Sequence, residues 1–275
     1  MIELNRIYNE DCLEGMKRIQ DGFVDLTVTS PPYDNLRTYN GNIEQWSFEK
    51  FQAIAKELYR VTKQGGVVVW IVGDATVKGS ETGASFKQAL YFKEIGFNLH
   101  DTMIYEKHNP VPNANNRYQQ SFEFMFVLSK GKPKTTNILL TKRSNECNDK
   151  RTFRVKTVNR DKDGEFNEAK YQTIREFVPR RNIWKYKVGL YNSTTDKIAF
   201  RHPAIFPEQL AQDHIISWSN EGDLVLDPFI GSGTTAKMAL LNNRNYIGFE
   251  LDKQYCEIAN KRIEEYISQR QAACK

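Results

Sequence analysis

The feature that most constrains this chain is a short apolar run that ends on an acid and passes straight into a glycine loop. Leu224, Val225 and Leu226 read as a strand closed by Asp227, and Pro228 and Phe229 lead into Gly231-Ser232-Gly233-Thr234-Thr235. A helix is expected from about Thr234. Strand, glycine turn and helix in this order belong to open α/β sheets, whose ligands sit beyond the C-terminal strand ends. Gly231 and Gly233 let the backbone approach a ligand, the helix start offers N–H groups to an anion, and Ser232 or Thr234 can cap the helix. With Ala236 the loop also fits the dinucleotide fingerprint, a weak signal alone. Asp227 sharpens it, because a carboxylate at a strand end can pair with an ammonium group. A second strand ends at Glu250, where an acid can accept both hydroxyls of a ribose. A tight turn with a capped helix and a surface acid is the plainer reading, and two acidic strand ends weigh against it.

The rest of the chain alternates strand and helix. β-rich runs occur at 5–9, 24–29, 67–72, 97–105, 122–128, 224–226 and 246–249. Phe48, Phe51, Ala55, Leu58 and Val61 recur at helical spacing, with Gly65-Gly66 expected to end that helix. Residues 207–218 and 254–267 are further helix candidates. Such alternation implies a mostly parallel sheet covered on both faces. Residues 131–200 break the pattern: they are polar, weakly periodic and basic, with a turn at Asp161-Lys162-Asp163-Gly164. Residues 142–201 carry 16 Lys/Arg against 8 Asp/Glu. A basic segment on a near-neutral body suits a polyanionic partner, although a solvated loop fits the charge equally well. The expected organisation is 1–130 and 201–275 as two halves of one domain, with 131–200 inserted.

Cys12, Cys147, Cys256 and Cys274 form no paired motif and have no histidine cluster beside them. Neither a disulfide framework nor a metal site is expected, which points to a reducing, cytoplasmic setting. No uncharged run approaches the length of a membrane span.

Thr29-Ser30-Pro31-Pro32-Tyr33 follows directly on the strand 24–29. Two prolines fix φ and remove two donors, leaving a stiff loop whose carbonyls need partners. The Ser30 hydroxyl and a loop carbonyl can accept from an exocyclic base amine, and Tyr33 offers a face for stacking. A rigid turn around a core tyrosine would explain the tripeptide alone. Together with Asp227–Thr235, however, the segment resembles the amino-methyltransferases of DNA, the N4-cytosine and N6-adenine enzymes. Thr29–Tyr33 is similar to their catalytic motif and Asp227–Thr235 to their cofactor loop. Tyr8–Leu13 resembles their adenine-binding segment, which implies that Asp11 contacts the adenine amine. Lys107–Pro112 with Arg117 and 123–130 resembles the lining of the target-base pocket. His202–Glu208, with Phe206, resembles a short cofactor motif. The matches span most of the chain outside 131–200.

The resemblance implies S-adenosylmethionine as cofactor, held by Asp11, Phe206, Asp227, Phe229, Gly231, Ser232, Gly233, Thr234 and Glu250. It implies catalysis at Ser30, Pro31, Pro32 and Tyr33. It implies double-stranded DNA as partner, contacted by Lys107, Asn109 and Arg117. Motif order resembles the β group, a circular permutation of a seven-stranded sheet with six parallel strands and one antiparallel, the basic insertion serving target recognition. Arg180 and Arg181 precede Ile183-Trp184-Lys185-Tyr186, and charge beside aromatics suits a DNA-facing surface with the arginine pair as DNA contacts; aromatics that anchor the insertion to the core are the alternative. Serine at position 30 is, by resemblance, typical of N4-cytosine enzymes, with N6-adenine as the other reading. A partner endonuclease and a homodimer stay open. An oxidoreductase using the glycine loop would leave Ser30–Tyr33 unexplained, and an inactive binding protein of the same fold would not need both acids. No thiol sits in a proline-cysteine pair, so attack on a ring carbon is not expected.

Overall fold

The computed structural model describes residues 2–32, 46–110, 116–143, 154–157, 160–167, 170–173 and 176–273. The chain forms two units, Met1–Asn137 with Asn182–Lys275, and Ile138–Arg181. The polar stretch 131–200 therefore divides: its central part is the smaller unit, and its flanks belong to the larger.

The larger unit is built on one sheet of eight strands: β1 (Arg6–Asn9), β2 (Val24–Thr29), β3 (Thr62–Val72), β4 (Asn98–Lys107), β5 (Phe122–Ser129), β6 (Ile183–Tyr186), β7 (Leu224–Asp227) and β8 (Asn245–Glu250). Their order is β1-β8-β7-β2-β3-β5-β4-β6. β5 runs antiparallel to β3 and β4, and every other pairing is parallel. All seven expected strands are present, and the expectation of seven is corrected to eight by β6. The late strands β7 and β8 lie between β1 and β2, as a permuted sheet requires.

Among the described residues six α-helices accompany the sheet: α1 (Cys12–Met16), α2 (Phe48–Val61), α3 (Ala84–Glu94), α4 (Glu208–Trp218), α5 (Thr234–Leu241) and α6 (Lys253–Ala273). Ser47 caps α2, its side chain accepting from Lys50 N, and Phe51, Ile54, Ala55, Leu58 and Val61 form its buried face. Phe51, Trp70 and Phe92 meet there, all fully buried. Gly65 and Gly66 do not end that helix. They lie within β3, where Gly65 takes φ +80° and a Cβ on Gly66 would sit 3.0 Å from Asp25 O.

β6 explains its own aromatics. Trp184 packs its ring 4.6 Å from that of His214 on α4, and Tyr186 Oη donates to Asp213 Oδ2 at 2.6 Å. Both rings are buried. They are anchors to the core and not a DNA-facing surface.

The smaller unit consists of nested antiparallel pairs. Leu140–Lys142 pairs with Phe177–Pro179, and Arg154–Thr157 with Lys170–Thr173. An Arg160–Phe166 bridge follows, closed by the expected turn, in which Asp161 Oδ1 accepts from Asp163 N and Glu165 N. Among the described residues no helix is long and apolar enough to cross a membrane.

Candidate functional site

The strand order sets four chain segments side by side along one edge. β1, β8, β7 and β2 are consecutive and parallel, so the residues that follow Asn9, Glu250, Asp227 and Thr29 emerge together. They border a cleft of about 890 Å³ whose lining includes Asp11, Ser30, Pro32, Phe206, Phe229, Gly231, Ser232, Thr234 and Glu250. Ser30 and Pro32 of the proline motif and the glycine loop thus face one space. Pro31 is buried behind Pro32. Tyr33 lies outside the described residues.

Asp227 is not on the cleft wall. It lies beneath Pro228 and Phe229, 1% exposed. Its Oδ1 accepts from Thr29 Oγ1 at 2.6 Å and from Phe229 N at 3.0 Å, which ties the end of β2 to the start of the glycine loop. Its Oδ2 has no hydrogen-bond partner. Burial pushes this carboxyl up to about 6, against hydrogen bonds from Thr29, Thr235 and the Phe229 backbone. A buried anion whose partners are neutral donors favours a cation nearby.

Glu250 does line the cleft. Its Oε2 accepts from Gly231 N at 3.0 Å and its Oε1 from Asp252 N at 2.8 Å. Burial pushes it up to about 7, and the two backbone donors pull it back only in part. Each oxygen keeps a lone pair for a hydroxyl donor. Asp11 is already engaged: Oδ1 caps α1 through Leu13 N at 2.8 Å, and Oδ2 pairs with Lys50 Nζ at 2.7 Å.

The glycines are also required by the protein's own backbone and packing. Gly231 has φ +51°, and a Cβ there would meet His202 Nε2 at 3.0 Å. Gly233 has φ +83°, and its Cβ would meet Ala259 Cβ at 3.0 Å. Left-handed backbone and close packing on the protein itself exclude other residues. Gly233 is also the N-cap of α5, with no side-chain cap, so neither Ser232 nor Thr234 caps it.

The expected DNA-contacting residues scatter. Lys107 lines the cleft and pairs with Glu123 at 2.6 Å. Asn109 also lines it, but its amide is spent on the backbone of Val188, accepting from N at 3.0 Å and donating to O at 2.8 Å. Arg117 donates to Gly79 O and faces Glu81 at 3.8 Å. Arg180 and Arg181 belong to the smaller unit, Arg181 exposed.

Sequence reasoning missed the group that holds the glycine loop from behind. Arg262 of α6 is fully buried. It donates to Ser232 O at 2.6 Å and pairs with Asp196 at 3.0 Å and Glu208 at 2.8 Å. Lys237 reaches the same two acids at 2.7 and 2.8 Å. Burial raises Asp196, but the bonds and charges of Lys237 and Arg262 outweigh it and hold the group below its ordinary range. Two cations and two anions balance, which is how buried charge is tolerated. Arg262→Met is therefore expected to cost about 3–5 kcal/mol of stability, since it leaves Asp196 and Glu208 under-compensated. Urea unfolding checks this, and a loss under about 1 kcal/mol contradicts it.

A family model described as DNA methylase matches residues 24–261. The chain is similar to the orphan methyltransferase M.BamHII of Bacillus amyloliquefaciens, 61% identical over 252 residues that cover 91% of this chain and 92% of that protein. Its fold is similar to that of the PvuII DNA methyltransferase (cytosine-N4-specific), with TM-score 0.68 and 19% identity over 92% of this chain and 84% of that one. It is also similar to M1.HpyAVI in a crystal structure of its SAM complex, with TM-score 0.59 and 26% identity over 94% and 98% of the two chains.

Proposed function

The chain belongs to the DNA methylase family, and from that premise we propose that it moves a methyl group from S-adenosylmethionine to the exocyclic amine of a base turned out of duplex DNA, N4 of cytosine. The observation that carries this reading is the shared cleft. Ser30 and Pro32 border it from the end of β2, and Phe229, Gly231, Ser232 and Glu250 border it from β7 and β8. The residues fit the cofactor: Asp227 is a buried carboxylate with one unpartnered oxygen, and Glu250 has spare acceptor capacity at the cleft surface.

Bound there, S-adenosylmethionine supplies an electrophilic sulfonium methyl. The protein's part is placement. Glu250 would accept from the ribose hydroxyls, and Asp227 would supply the negative field for the methionine ammonium. The lone pair of a base amine is delocalised into the ring, so the amine is a weak nucleophile. Hydrogen bonds from its two N–H groups to the Ser30 hydroxyl and a loop carbonyl favour a tetrahedral nitrogen with an available lone pair. The proline pair holds these acceptors rigid, and positioning of this kind is worth about 7–11 kcal/mol. Cys12 also lines the cleft, but at the Asp11 end, and burial pushes its thiol up to about 12. It stays protonated and is no nucleophile, which argues against attack on a ring carbon.

The base must leave the helix to reach the cleft. The unit Ile138–Arg181 carries 12 Lys/Arg against 7 Asp/Glu and supplies sequence-independent phosphate contacts in this reading. Replacing Arg180 and Arg181 with alanine is expected to lower the salt slope of DNA binding by about 2, near 0.9 for each phosphate no longer neutralised, with cofactor affinity unchanged. An unchanged slope would assign both arginines to the solvated surface. A restriction endonuclease cutting the same unmethylated site would complete a pairing, and the orphan designation of the similar Bacillus amyloliquefaciens protein favours action without one. The direct test of the reading is methyl transfer itself. Label from methyl-tritiated S-adenosylmethionine enters unmethylated duplex DNA if it holds, and stays in the cofactor if it does not.

A further inference from the structure

The loop after β6 is held from several sides yet presents apolar side chains outward. Asn109 clamps Val188 with two hydrogen bonds, at 2.8 and 3.0 Å. Asn192 N and Ser193 N both donate to Gly189 O at 3.1 Å, Gly189 N donates to Ser193 Oγ at 3.2 Å, and Glu208 N donates to Ser193 O at 2.9 Å. Val188, Gly189 and Ser193 line the cleft. On this fixed frame Leu190 and Tyr191 are 59% and 61% exposed.

Tyr191 has φ +59°, left-handed backbone that glycine adopts freely and an aromatic residue rarely does. Gly189, two residues earlier, already supplies one such conformation at φ +93°. A bulky side chain kept at an unfavourable φ, and then left in solvent, contributes little to packing. Its ring meets that of Phe200 at 6.1 Å, and Phe200 lines the cleft. Strain of this kind collects at functional positions. The surroundings are basic: Lys187, Lys197 and Arg201 are exposed, and the acid among them, Asp196, is committed to Lys237 and Arg262.

We propose that Tyr191, with Leu190 beside it, is a wedge that enters the DNA stack next to the target base and fills the gap that base leaves. Extruding a base costs unstacking, and an apolar or aromatic side chain placed between base steps recovers part of it. A flat ring suits the task because every base has a π-face. The rigid loop means that little ordering is required on contact. The inference rests on the reading that the target base enters this cleft, and goes beyond it in assigning the residue that holds the base out.

The strained φ makes the test unusually clean, because Tyr191→Gly removes the ring while favouring the observed backbone. The thermal midpoint of Tyr191→Gly should equal or exceed the parent's, and its affinity for S-adenosylmethionine should stay within twofold. Its kcat/KM for unmethylated plasmid DNA, read as tritiated methyl incorporation, should fall at least tenfold, whereas Tyr191→Phe should stay within threefold of the parent. Once the modified site is mapped, a duplex with a mismatch at the target base should restore the glycine variant towards the parent rate, since less stacking is lost on extrusion. Parent-like turnover by Tyr191→Gly overturns the proposal, as does an equal deficit on matched and mismatched duplexes. A change in oligomeric mass in place of a change in turnover also overturns it, and would make the patch a contact between copies of the chain. A parent protein that labels no DNA would instead remove the reading beneath it.

Discussion

Asp227→Ala is expected to weaken S-adenosylmethionine binding at least 100-fold, and Asp227→Asn about tenfold. Alanine removes the acceptor shared by Thr29 Oγ1 and Phe229 N, so two buried donors at the roots of both loops lose their partner. Hydrogen bonds to a charged group are worth about 1.5–3 kcal/mol each, and that loss falls on the geometry of both cleft walls at once. Asparagine keeps an acceptor for both donors and removes only the charge. The same carboxylate gives affinity a pH dependence. The carboxyls of Asp227 and Glu250 lie at about 6 and 7. A cationic group near the first and hydroxyl donors on the second both favour the ionised form, so binding is full above about 7 and weakens as the pH falls through 7 and then 6. Asp227→Asn should lose the lower of these two steps. Calorimetry from pH 5 to 8 measures all three effects; alanine binding within threefold of the parent contradicts the assignment.

Ser30→Ala is expected to lower kcat about 100-fold while leaving cofactor affinity within twofold. A positioned acceptor at the reacting group is worth about 10²–10³ in rate, and Ser30 borders the cleft where β2 ends. The Thr29–Asp227 bond is made by other side chains and stays in place. Single-turnover methyl transfer at saturating cofactor and DNA isolates the step. A kcat within threefold of the parent would assign the hydroxyl to the loop's own structure, and a matching loss of cofactor affinity would place it on the other side of the cleft.

What the sequence made legible is what local pattern encodes. Asp227 and Glu250 sit at strand ends because the apolar runs before them can only be buried strands, and Ser30 follows Thr29 for the same reason. That both loops reach one cleft follows from β7 lying beside β2, which chain order hides and the permuted resemblance implied. Long-range partnerships were not legible. Arg262 and Lys237 look like charges on solvated helix faces, and only the packing of α6 and α5 against Glu208 and Asp196 shows them buried. The crowding of Gly231 and Gly233 was not legible because the atoms that meet them, in His202 and Ala259, are distant in sequence. Ile183–Tyr186 stood out as an aromatic run but not as a strand, since four residues carry too short an alternation to mark one. Tyr191 is ordinary as a letter and unusual only through its φ and exposure.

The measurement that bears most directly on the central claim is nucleoside mass spectrometry of duplex DNA treated with the protein and S-adenosylmethionine. Serine at position 30 points, by resemblance, to N4-methylcytosine as the product, and a protonated thiol is in keeping with amine chemistry. N6-methyladenine as the sole product would contradict the choice of base and keep the amine chemistry, whereas 5-methylcytosine would contradict the account as a whole, because it requires a thiolate that Cys12, held up to about 12, does not provide.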